Sequence, residues 1–186
     1  MTMGTPTDEE LVIATRSGEG EAFDALYRRY SGKLYSYLLR LTGDRATAED
    51  LLQDVFLAVL RDRGFDLRAG GFGAWLFTVA RRRALNAARG AQRHQRRVRA
   101  LAEPDETAPR PPSPEAATSQ RELVLGGLAT LSEVHRDALV LKEVAGLTYR
   151  EIAAVQEVPE GTAKSRLHHA IQSLRALLRP EGETTP

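Results

Sequence analysis

The chain of 186 residues contains no cysteine. That excludes disulfides and thiolate metal sites, and it suits a reducing cytosol. No apolar run approaches the roughly 20 residues needed to span a bilayer, so no membrane insertion is expected. The opening residues, MTMGTPTDEE, lack the basic start and apolar centre of a signal peptide. The expectation is a soluble, cytoplasmic protein. Sustained alternation of apolar and polar residues is missing too, which removes strands and points to an all-α fold. Carboxylates are absent from Ala80 to Arg99, "ARRRALNAARGAQRHQRRVR", a stretch with eight arginines.

Net charge is only +1, but it is unevenly spread. Residues 23–100 carry sixteen basic and seven acidic side chains, whereas residues 1–22 carry one and five. A basic lobe in a nearly neutral chain implies a polyanionic partner for that lobe. Ala102 to Gln120, "AEPDETAPRPPSPEAATSQ", holds five of the nine prolines and almost no large apolar residue. Such a segment buries too little surface to offset its ordering entropy. It reads as a flexible acidic linker over residues 101–120, between an N-terminal lobe (1–100) and a C-terminal lobe (121–180), with a tail at 181–186.

Steps of three and four place Phe23, Leu26, Tyr27, Tyr30, Leu34, Tyr37, Leu38 and Leu41 on one face of a long helix that Gly43-Asp44 stops. Thr47 is the expected cap of the next helix, with Asp50 three residues on. Leu51, Leu52, Val55, Phe56, Val59 and Leu60 form its buried face. Arg61 to Gly73 reads as a loop, and a long helix starts near Phe72 and runs into the arginines. Phe72, Trp75 and Phe77 are expected mainly in the core. In the second lobe, a helix or helix pair ends at Gly146. Thr148 then opens a short helix with Glu151 in capping-box position, "EVPEG" turns the chain, and Pro159 and Glu160 begin the last helix.

On a wheel of 100° per residue, Ala163, Leu167, Ala170, Ile171, Leu174 and Leu178 share the core face of that last helix. Ser165, His168 and His169 lie opposite, Thr162 and Gln172 at the margins, and Lys164 and Arg166 on the two shoulders. A short helix, a tight turn and such a helix make a helix-turn-helix, whose outward groups reach base edges while shoulder cations hold phosphate. The plainer alternative is a solvated helix face. A metal site at His168 and His169 does not fit, because neighbouring helical side chains diverge by 100° and no carboxylate sits at matching spacing.

In the arginine-rich stretch, Arg82, Arg89, Arg93 and Arg96 fall on one side, with Arg81 and Asn86 at its edges. Guanidinium groups bind phosphate and stack on bases; the alternative is a basic, solvated helix end. Phe65, in the glycine-rich loop, is either a plug in the core or a receiver for an unstacked base. Asp50 and Asp54 lie one turn apart with Gln53 between them on the outer side. They form either a solvated polar face or an acidic patch for a basic protein. No nucleophile, metal set or phosphate loop joins these carboxylates, so an enzyme is not expected and no cofactor is called for.

"AFDALYRRYSGKLYSYLLRLTGDRATAEDLLQDVFLAVLR", "FGAWLFTVARRRALNAAR" and "LATLSEVHRDALVLKEVAGLTYREIAAVQEVPEGTAKSRLHHAIQSL", in this order, resemble a bacterial RNA polymerase sigma factor of the extracytoplasmic function group. The resemblance implies a region 2 helical bundle, a region 4 helix-turn-helix and no enzymatic activity. It implies that Asp50, Gln53 and Asp54 dock on the β′ clamp helices of core RNA polymerase, and that region 4 meets the β flap. It implies that Phe65, Arg81, Arg82, Asn86 and Arg89 serve the −10 element of promoter DNA. It likewise implies that Thr162, Lys164, Ser165, Arg166, His168 and His169 serve the −35 element. The family usually adds an anti-sigma factor as a further partner. Two departures stand out: Arg82 replaces a common asparagine, and Asn86 a common aspartate. Arginine takes phosphate or guanine where asparagine pairs with adenine, so an unusual −10 preference is expected.

Overall fold

The computed structural model describes residues 5–61, 71–101, 126–128 and 130–178, and every regular element among them is a helix. The order is α1 (Asp8–Arg16), α2 (Gly20–Thr42), α3 (Arg45–Arg61), α4 (Gly71–Leu101), α5 (Glu133–Glu143), α6 (Tyr149–Gln156) and α7 (Glu160–Leu178). Residues 126–128 add a helical turn ahead of α5. The linker at 102–120, the loop from Asp62 to Gly70 and the tail lie outside the described residues.

The helix boundaries follow from local chemistry. Thr7 and Glu10 close a reciprocal capping box at α1. Asp8 then accepts from both Arg29 and Tyr30, which fastens α1 to α2. Burial first, and the bond to Asp8 second, push the Tyr30 phenol well above its ordinary value. Gly43 ends α2 at φ +70°, in the left-handed region that favours glycine, and its N–H reaches the Leu39 carbonyl at 2.9 Å.

Asp44, and not Thr47, caps α3. The Thr47 backbone N–H and hydroxyl both donate to Asp44 Oδ2, at 2.8 and 2.6 Å. One charged carboxylate oxygen takes both donors, and these bonds hold the Asp44 carboxyl below its usual range. In the second lobe Thr148 and Glu151 form the expected capping box. Glu157 takes the left-handed turn at φ 56°, and the Pro159 carbonyl accepts from Thr162 and Ala163 to start α7.

Leu26, Leu34, Tyr37 and Leu38 of α2 pack with Val55, Phe56 and Val59 of α3 and Phe72, Leu76, Phe77 and Ala80 of α4. Phe72 and Phe77 are buried as expected, and Trp75 is half-buried against the same cluster. Leu60, expected on the buried face of α3, is instead 51% exposed near the helix end. The apolar cluster does not stop at the first lobe: it continues through Ala138, Val140, Leu141, Leu147, Ile152 and Val155 of the second. A smaller cluster of Leu131, Leu139, Leu167 and Ala170 holds α7 to α5.

Thr148→Ala removes one half of the α6 capping box. It should lower the unfolding free energy by about 1 kcal/mol, read as a lower urea midpoint at unchanged slope.

Candidate nucleic-acid interface

The α6–turn–α7 unit sets the outward face of α7. Ala163, Leu167 and Ala170 are buried, and Ile171 and Leu174 are half-buried against the same core. The opposite side chains, Ser165, His168 and His169, are exposed together with Lys164, while Thr162 is half-buried. The wheel therefore holds along the first three turns of the helix. The His168 and His169 rings sit 6.1 Å apart at 73°, and His169 stacks on His135 of α5 at 5.8 Å and 29°. His135 thus supports one of the two outward imidazoles, a role the sequence reading missed.

The two shoulders differ. Lys164 is exposed, bonded to Glu160 at 2.9 Å, and lies 5.5 Å from the Tyr149 ring centre, with Lys142 at 5.2 Å from the same ring. The bond to Glu160 holds the Lys164 ammonium above its usual value. Arg166 is not a free shoulder cation. It is half-buried, and its Nη1 donates to Gln156 Oε1 at 2.9 Å. The wheel placed it beside the outer face, but the turn between α6 and α7 brings the C-terminal Gln156 of α6 within its reach.

On α4, Arg82, Asn86, Arg89 and Arg93 are exposed and Arg81 is half-buried. Phe65 and the side chain of Arg96 lie outside the described residues. Asp50, Gln53 and Asp54 are all exposed on α3, and Asp54 accepts from Arg83 of α4 at 3.2 Å. The acidic patch and the basic helix are thus joined on one surface.

Four residues meet where the lobes touch: Tyr37, Arg81, Asp137 and Gln156. Asp137 of α5 is 3% exposed. Its Oδ1 accepts from the Tyr37 hydroxyl at 2.7 Å, and its Oδ2 accepts from Arg81 Nε and Gln156 Nε2, both at 2.8 Å. Gln156 Nε2 also donates to the Val134 carbonyl at 3.3 Å. Burial, followed by the charge and the bond of Asp137, raises the Tyr37 phenol well above its ordinary range. Beside this network, Arg82 Nη2 donates to Glu157 Oε1 at 2.5 Å, which lowers the Glu157 carboxyl. The one sequence signal was an aspartate within the buried run of "RDALVLKE": a buried carboxylate needs a cation or donors.

Among the described residues no group of three or more histidines, aspartates or glutamates is set to hold a metal, and no helix is long and apolar enough to cross a membrane. The geometry is instead that of a two-lobed helical protein with one basic helix and one outward helix-turn-helix face.

Comparison with known proteins decides the family. The model for sigma-70 region 2 matches residues 26–94, and that for sigma-70 region 4 matches residues 121–174. The sigma factor CarQ of Myxococcus xanthus is 39% identical over 165 residues, covering 88% of this chain and 92% of CarQ. The chain is an RNA polymerase sigma factor of the extracytoplasmic function group. The group factor SigL of Mycobacterium tuberculosis is 34% identical over 179 residues, covering 93% of this chain and 98% of SigL. The fold also matches two solved structures. CnrH, in complex with the cytosolic domain of CnrY, has a TM-score of 0.67 at 23% identity over 92% of this chain and 96% of the other. RpoE of Bartonella quintana, in complex with the anti-sigma factor NepR, has a TM-score of 0.65 at 24% identity over 87% and 99%. Region 2 accordingly contains α2 to α4, and region 4 contains α5 to α7. Its relatives are transcription-initiation factors rather than enzymes.

Gln156→Leu keeps the shape but leaves Asp137 and Arg166 each short of a partner. It should cost about 1–3 kcal/mol in urea unfolding, whereas Gln172→Leu, on the exposed side of α7, should stay within about 0.5 kcal/mol of the parent.

Proposed function

We propose that this sigma factor binds core RNA polymerase through Asp50, Gln53 and Asp54 of region 2, with region 4 meeting the β flap, and directs initiation at promoters carrying −35 and −10 elements. The observation that carries this reading is the face of α7. Ser165, His168 and His169 stand exposed beside Lys164, while the opposite side of the same helix is sealed into the region 4 core.

In this reading α7 enters the −35 major groove. Ser165, His168 and His169 meet base edges there, and Lys164, Thr162 and the N-terminus of α7 hold phosphate. A neutral imidazole offers one donor and one acceptor, so the two rings discriminate by orientation as well as by position. Arg166 contributes to base or phosphate contact only after releasing Gln156. Region 2 supplies Arg81, Arg82, Asn86 and Arg89 to the non-template strand of the −10 element, with Phe65 as receiver for an unstacked base. Unstacking costs a few kcal/mol, so a pocket that captures the freed base makes melting depend on sequence. An anti-sigma factor controls the protein. The solved complex of the similar RpoE with NepR supports that view. These events belong to the cytoplasm.

Run-off transcription with core polymerase on a panel of genomic fragments should give discrete, promoter-specific transcripts. Absence of any such transcript overturns the reading and favours a dimeric helix-turn-helix repressor, which would footprint duplex DNA alone. His168→Ala should lower transcription from the preferred −35 element by about tenfold, one lost base contact being worth roughly 1–3 kcal/mol. The Asp50→Ala/Asp54→Ala double variant should weaken binding to core enzyme by about tenfold or more, since it deletes two exposed charges from the docking face.

A further inference from the structure

We infer that His135 is a positioning residue for −35 recognition: by stacking on His169 it fixes one of the two outward imidazoles and leaves the neighbouring His168 free to adapt. The inference rests on the sigma reading above for what the rings meet, and on contacts within region 4 for how one of them is held.

The stack joins two helices. His135 is half-buried on the first turn of α5, and its ring lies 5.8 Å from that of His169 at an interplanar angle of 29°. The ground beneath it is firm. Leu139, one turn further along α5, is buried in one cluster with Leu131, Leu167 and Ala170, so α5 and α7 cannot drift apart under the rings. His168 differs. It meets His169 edge-on, at 6.1 Å and 73°, and this is a contact between exposed neighbours on one helix. Among the described residues no ring of another helix lies against His168.

Restraint by stacking has a chemical consequence. A hydrogen bond would orient an imidazole by occupying one of its two nitrogens. Among the described residues neither outward ring is held by a hydrogen bond or an ion pair. The stack sets the plane of His169 through the ring face and leaves both nitrogens, at the ring edge, for the edges of bases.

The two outward readers are therefore unequal. An exposed side chain that must be ordered when it meets DNA loses affinity, and it can re-aim toward a wrong base. A ring fixed beforehand avoids that ordering and cannot follow a base whose groups lie elsewhere. His169 is then the strict reader of the −35 element and His168 the tolerant one. The strictness comes from a half-buried side chain on a different helix.

Holoenzyme assembled from core polymerase and the full chain tests this on promoters carrying each single base-pair change in the −35 element. His169→Ala first locates the base pair whose preference depends on His169. His135→Leu, which suits a half-buried position a turn from Leu139, should lower discrimination at that base pair by about threefold to tenfold, the effect of ordering one side chain on binding. Preference at the base pair that depends on His168, located by His168→Ala, should stay as in the parent. His135→Phe keeps a ring that stacks but has no nitrogen, and it should restore most of the discrimination. The free chain gives a second readout. It has four histidines, so their ring signals in an NMR spectrum are few, and His169→Gln identifies the one that matters. That signal should carry a ring-current displacement in the parent and in His135→Phe, and lose it in His135→Leu. A His169 signal indifferent to His135→Leu, equal losses in His135→Phe and His135→Leu, or a loss spread evenly over the −35 element would overturn the inference. A parent that shows the displacement yet gives no promoter-specific transcript would overturn the sigma reading and the recognition role with it, while the stack itself would stand.

Discussion

The arrangement of the two lobes depends on how a single carboxylate is satisfied. Asp137 sits on the buried side of α5, next to Ala138 and Leu141. A charge in that position is stable only if cations and donors surround it. Its own lobe supplies Gln156; the other lobe supplies Arg81 and Tyr37. Region 4 alone therefore cannot complete the site. The polar network fixes the register of the contact, and the apolar cluster around it supplies most of the burial.

α4 shows how one helix serves two demands. Its first three turns, from Phe72 to Ala84, give large and then small apolar side chains to the core. The small ones, Ala80 and Ala84, let α6 come close. Arginines lie between and beyond them, some paired across the lobe boundary and some, such as Arg89 and Arg93, exposed. α7 repeats the division in miniature, with alanines and leucine inward and serine and histidines outward. In both helices most of the residues proposed to meet DNA are those left outside the apolar core.

Much of this was legible in the sequence because it depends on local periodicity and caps. The all-helical class, the stop at Gly43, the capping box at Thr148 and Glu151 and the outward set on α7 all follow from residues within a few positions of each other. The family resemblance rested on three ordered segments and holds. The cap of α3 was misjudged because Asp44 and Thr47 are both good caps, and only geometry shows the carboxylate taking both bonds. The bond between Arg166 and Gln156 was not legible, because the wheel describes one helix and ignores the residue that ends the preceding one. The lobe contact was not legible at all. Tyr37 and Asp137 are a hundred positions apart, and no periodicity records which surfaces of two lobes will meet.

The most direct measurement is a double-mutant cycle in urea on the full chain, combining Tyr37→Phe with Asp137→Asn. Residues in one buried network should couple by about 0.5–3 kcal/mol, and a value in that range is what the joined lobes require. Changes that simply add, to within about 0.3–0.5 kcal/mol, would mean that Tyr37 and Asp137 do not meet in solution, and the account of the two lobes as one joined body would be contradicted.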